Sequence, residues 1–163
     1  MTDVPIFVAV ITAGAGLVGA LIPQAAVVIR DVRQAERDRR ERAAVATREA
    51  CVALLSTAGE LRTLAESVRD YRGEAEGMRA RVQEVWSRAE ATRWHATNVG
   101  MLAPLALAGP AEKVAEAASS LAEVVARSID PDEGVLIGDP PDATRLAERI
   151  AAFRSEAVGY AKG

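Results

Sequence analysis

The chain has 163 residues and a formal net charge of −3. That length holds one modest domain, and the mildly acidic balance argues against a broad nucleic-acid-binding surface. One cysteine, Cys51, excludes an intramolecular disulfide and agrees with a reducing compartment.

After a short tail, residues 1–3, the run Val4 to Ile29 carries no charged side chain. As a helix its 26 residues would span roughly 39 Å, against a bilayer hydrocarbon core of ~30 Å. Thirteen of them are Val, Ile, Leu or Phe, together worth roughly −6 kcal/mol of insertion energy. Six arginines crowd the next thirteen residues: Arg30, Arg33, Arg37, Arg39, Arg40 and Arg42. The pattern predicts a single transmembrane helix, residues 4–29, in an inner (cytoplasmic) membrane. No Lys or Arg precedes the run, so the positive-inside rule places the N-terminus outside and the body in the cytoplasm. A cleaved signal peptide would want a positive n-region and a shorter apolar core. Arg30, Arg33, Arg37, Arg39 and Arg40 are placed to touch anionic lipid headgroups.

Gly14-Ala15-Gly16-Leu17-Val18-Gly19 has the literal form G-x-G-x-x-G and resembles a dinucleotide-binding fingerprint. That alternative, a soluble dinucleotide-binding protein, needs a strand before the glycines and a full helix after them. Pro23 falls four residues beyond Gly19, and Asp31 comes too early for the ribose-binding acid, which belongs about 20 residues on. The glycines fit better as part of a small-residue stripe. Ala9, Ala13, Gly16 and Ala20 recur at helical spacing, as residues do where membrane helices approach closely.

Residues 30–72 read as a charged juxtamembrane stretch running into a heptad helix. Glu36 with Arg40, and Asp38 with Arg42, have the favourable i, i+4 order. Leu54, Ala58, Leu61, Ala65 and Val68 alternate steps of four and three, which is a helix seam. Gly73 and Gly77 mark a turn at 73–77. The seam resumes at Met78, Val82, Val85, Ala89, Thr92, Ala96 and Val99, predicting a partner helix that folds back as a hairpin. A continuous rod is the competing geometry.

Two helices are expected within 78–128, separated by a connector at 102–110 that holds Pro104, Gly109 and Pro110. Pro110 is placed to open the next helix, whose apolar face is Val114, Ala117, Ala118, Leu121, Val124 and Val125. Residues 129–142 form a loop rich in proline and aspartate. A last helix and tail occupy 143–163, with Leu146, Ile150, Phe153 and Val158 on one side. The fold class expected is all-α: an N-terminal membrane helix followed by an amphipathic helical hairpin or bundle.

Chemistry-bearing residues are few. Cys51, among Val52, Leu54 and Leu55, reads as a buried structural thiol. One cysteine and one histidine, His95, do not make a zinc site, and no phosphate loop or H-E-x-x-H occurs. Trp86 and Trp94 are expected to pack against neighbouring helices. No catalytic, cofactor or metal residues are assigned. The packing residues are Leu54, Leu61, Val68, Met78, Val82 and Val85.

The arginine-rich exit Arg30 to Arg42, the run Ala96-Thr97-Asn98-Val99-Gly100-Met101-Leu102-Ala103-Pro104, and Pro110-Ala111-Glu112 with the alanine-rich stretch after it resemble small membrane-anchored helical proteins of unknown function in actinobacteria. The resemblance implies no activity. The expected function is a non-catalytic scaffold or adaptor at the lipid bilayer, with a protein partner or a homo-oligomer and no nucleic acid. A phage-type or mobile-element membrane effector, lytic or pore-forming, is the alternative.

Overall fold

A computed structural model describes residues 4–130, 133–139 and 141–162, with the backbone alone for residues 4–29 and 162. The described chain is all-helical: α1 Val4–Arg69, α2 Ala75–Leu102, α3 Leu105–Arg127 and α4 Thr144–Lys162. It divides into two compact units, residues 1–44 and 45–163.

In the first unit the backbone is helical from Val4 onward, through Gly14, Gly16 and Gly19. No strand precedes those glycines, as a dinucleotide-binding turn requires. Among the described residues no helix is long and apolar enough to cross a membrane. The expected span, Val4 to Ile29, and its small-residue positions Ala9, Ala13, Gly16 and Ala20 lie outside the described side chains. Residues 30–44 are exposed throughout. Arg40 pairs with Glu36 at 2.6 Å. Arg42 turns to the Asp38 backbone carbonyl, 3.1 Å away, not to its carboxylate as the spacing predicts.

The second unit is an up-down-up-down bundle. The α1 chain from Val45 and the whole of α2 run antiparallel in one register. The Thr47 hydroxyl donates to the Leu102 carbonyl at 3.0 Å, Arg88 reaches Glu60 at 2.7 Å and Arg81 reaches the Ser67 hydroxyl at 2.8 Å. The connection is therefore a hairpin and not a rod. α3 packs on α2 and on α4, and α4 returns along α1, where Ile150 and Arg154 share a groove with Leu55 and Gly59.

One core joins the four helices. From α1 come Leu54, Ala58, Leu61, Ala65 and Val68; from α2, Met78, Val85, Ala89, Ala96 and Val99. α3 adds Leu107, Val114, Leu121 and Val125 among several alanines, and α4 adds Leu146, Ile150 and Phe153. Alanine recurs at the contacts because a methyl side chain lets helix backbones approach closely. Phe153, fully buried, is the largest fully buried side chain in this core.

The turn between α1 and α2 is organised by Tyr71. Its hydroxyl donates to the Glu74 carbonyl at 3.3 Å, and the Arg81 guanidinium lies 4.8 Å from its ring centroid. A Cβ at Gly73 or Gly77 would run into the Tyr71 phenol. The two glycines make room for that ring.

Proline does not open α3 where the sequence places the start. The helix begins at Leu105, with the Leu107 N–H donating to the Pro104 carbonyl at 2.9 Å, and Pro110 lies inside it. An interior proline removes the bond to the carbonyl four residues back. Here that carbonyl belongs to Ala106, an exposed residue in the first turn, where the loss costs least.

Beyond α3, Ile129 and Leu136 form an antiparallel bridge, and the Asp142 carboxylate accepts the Thr144 N–H at 2.8 Å to start α4. The Thr144 hydrogen bonds hold the Asp142 carboxyl below its ordinary range. That contribution is present above the unfolded value and fades as acid protonates the group.

Gly134 has φ +65, and a Cβ there would sit 2.5 Å from the Ala75 Cα. Gly134→Ala combines left-handed backbone strain, about 1–2 kcal/mol, with overpacking of about 1–3 kcal/mol. The expected melting temperature falls by roughly 10 °C, read by circular dichroism. An unchanged melting temperature would mean that the loop does not rest on the first turn of α2.

Candidate interaction surface

The reactive groups do not converge. Cys51 is buried, and desolvation pushes its thiol up, which keeps it protonated and a poor nucleophile or ligand. His95 stands edge-on to Trp94, ring centroids 4.9 Å apart. Among the described residues no hydrogen bond joins Cys51 to His95. Nor, among them, does any group of three or more His, Cys, Asp or Glu side chains gather to hold a metal.

The carboxylates are spent on the surface. Glu60, Glu66 and Glu123 pair with Arg88, Arg62 and Arg127 at 2.7, 2.8 and 2.8 Å, all with exposed side chains. Such pairs contribute about 0–1 kcal/mol each. Open grooves run between the helices. One, at the start of α4, carries Arg62, Glu66, Arg69 and Asp142. Another, between α2 and α3, carries Arg93, Thr97, Glu112 and Ser119. Both are open to solvent, and in the first the Asp142 carboxylate is engaged by the Thr144 N–H at the start of α4.

The seam is closed within the chain. Leu54, Leu61, Val68, Met78 and Val85 are buried, and Val82 is half-buried against the same core. Nothing of that face is left for a partner. Arg30, Arg33, Arg37, Arg39 and Arg40 are exposed.

Exposed large apolar side chains also occur on α1, α4 and the loop, as at Val52, Ile137 and Val158, but both tryptophans lie on α2. Trp86 is 40% exposed, Trp94 62%, Met101 70%, and Leu105, just beyond, 93%. Trp94 departs from the expectation that the tryptophans pack against neighbouring helices, whereas Trp86 is partly covered. Residues 94 and 101 fall on the side opposite Val85, Ala89, Thr92, Ala96 and Val99, which fill the core side, and Trp86 lies at its flank. The signal was in the sequence, because neither tryptophan lies on the seam spacing. Beside Trp86, Val82, Ala126 and Ile129 line an apolar groove between α2 and α3. Tryptophan is enriched among residues that dominate binding energy. Two of them in water on one helix face, in a chain with only two, make this face the candidate site.

Compared with family models, curated proteins and solved structures, the chain matches none.

Proposed function

We propose that the chain is a membrane-anchored helical interaction protein, an adaptor or scaffold that carries out no reaction itself. Val4 to Ile29 is the single-pass anchor, the N-terminus lies outside, and the bundle is cytoplasmic. The observation that carries the interaction half is the exposed Trp86, Trp94 and Met101 face on a bundle whose core is already filled. The anchor is supported by the uncharged run and the arginines after it. Those arginines, all exposed, face lipid headgroups on the cytoplasmic side.

The full chain is expected to stay in the membrane fraction after an alkaline carbonate wash, and residues 30–163 to be released. Release of the full chain would remove the anchor. Toxicity on expression reproduced by residues 1–44 alone would favour the membrane effector instead.

A further inference from the structure

We propose that α1 leaves the bilayer tilted toward one basic face, made by Arg30, Arg33, Arg37 and Arg40, and that this face lies on the phosphates of anionic lipids. The inference rests on the anchor reading above and gives it a direction and a lipid preference.

The face comes from helical placement and not from bulk charge. Residues 30–44 hold six arginines and four acids, a net charge of only +2. The helix runs through all of them. At about 100° per residue, Arg30, Arg33, Arg37 and Arg40 fall within an arc of about 80°, and Ala44 continues it. Asp31 and Asp38 stand well outside the arc. Ala35 is opposite its middle, with Arg39 and Arg42 to either side of Ala35. Glu36 and Glu41 flank the arc, and Glu36 takes Arg40 at 2.6 Å. Arg30, Arg33 and Arg37 are exposed and join no ion pair among the described residues.

Three unpaired guanidinium groups on one side of a helix call for anions, and lipid phosphates are the first they meet. The face begins at the residue directly after the uncharged run Val4 to Ile29. The headgroup layer is only roughly 5–8 Å deep. An upright helix carries the Arg37 and Arg40 backbone past it, since these lie about 10 and 15 Å along the axis from Arg30. Tilting toward the arc brings both back to the phosphates. The run itself supplies the tilt. As a helix it is roughly 39 Å long against a hydrocarbon core of ~30 Å, and a span that is too long leans, with interfacial arginines setting the direction.

The test uses the full chain in lipid nanodiscs, with Cys51→Ala and a bimane fluorophore on Ala44→Cys. Nitroxides on the lipid headgroups quench the probe when it nears the phosphates. Quenching is expected to be at least twofold greater in mixed phosphatidylglycerol and phosphatidylcholine discs than in phosphatidylcholine alone. At about 1 M salt, where the screening length is about 3 Å, the gain should vanish. Arg33→Gln with Arg37→Gln should abolish the gain. Arg39→Gln with Arg42→Gln, the same loss of charge off the arc, should leave most of it. A probe on Ala35→Cys should not respond to lipid charge, because leaning toward the arc keeps the far side at nearly the same height. Equal losses from the two arginine pairs, or equal gains at positions 35 and 44, would overturn the proposal. So would no gain at position 44 in a chain that stays in carbonate-washed membranes. Release of the full chain by carbonate would overturn the anchor reading along with it.

Discussion

Leu61→Asp should abolish cooperative unfolding of the bundle. Leu61 is fully buried at the middle of the α1 seam, between Ala58 and Ala65, which are equally buried. Truncating a buried leucine costs about 2–5 kcal/mol, and placing an unpaired carboxylate there adds to it. Domains of this size are stable by about 5–15 kcal/mol, so the substitution removes much or all of the margin. Circular dichroism of the full chain should show no sharp thermal transition, and the buried thiol of Cys51 should become reactive at once. A variant that melts as sharply as the wild type would show that the seam does not hold the unit together. The same variant separates two ways of covering the seam. If the partner helix were in another chain, Leu61→Asp would leave helical monomers in place of an unfolded bundle.

Phe153→Ala should be nearly as damaging. Phe153 is fully buried in a core otherwise made of aliphatic side chains, methionine and cysteine. Small neighbours on rigid helices leave little side-chain length to collapse into the space a phenyl ring vacates. The cost belongs toward the upper part of the about 3–5 kcal/mol seen for Phe→Ala. A denaturant titration should show a much lower midpoint with nearly the same slope, since the surface exposed on unfolding barely changes. A shift below about 1 kcal/mol would mean that α4 is not a structural part of the bundle.

Much of the bundle was legible because its pattern is strong. Leu54, Leu61 and Val68 are large and seven apart, with Ala58 and Ala65 between them at steps of four and three, so helix and buried side follow from spacing. The turn was legible at Gly73 and Gly77, but its reason was not. The glycines accommodate the Tyr71 ring, a contact fixed by the folded turn. Pro110 misplaced the start of α3, since proline reads as a boundary wherever it stands. At that point in α3 it forfeits only the bond to Ala106, whose residue is exposed. The tryptophans were expected to pack against neighbouring helices because of their residue type. Their register, off the Val85–Ala89–Thr92–Ala96–Val99 side, placed them outside, and register wins when the core-side positions are already filled. No reactive cluster was legible in the sequence.

A bundle that closes its own seam, leaving the α2 face for association, is tested most directly by hydrogen exchange on the full chain in lipid nanodiscs at several protein-to-lipid ratios. Amides at Leu54, Leu61 and Val68 and at Val85, Ala89 and Val99 should exchange through one shared opening, with protection unchanged as copies per disc fall to one. Protection at those amides that drops on dilution would show that the seam is covered by another chain.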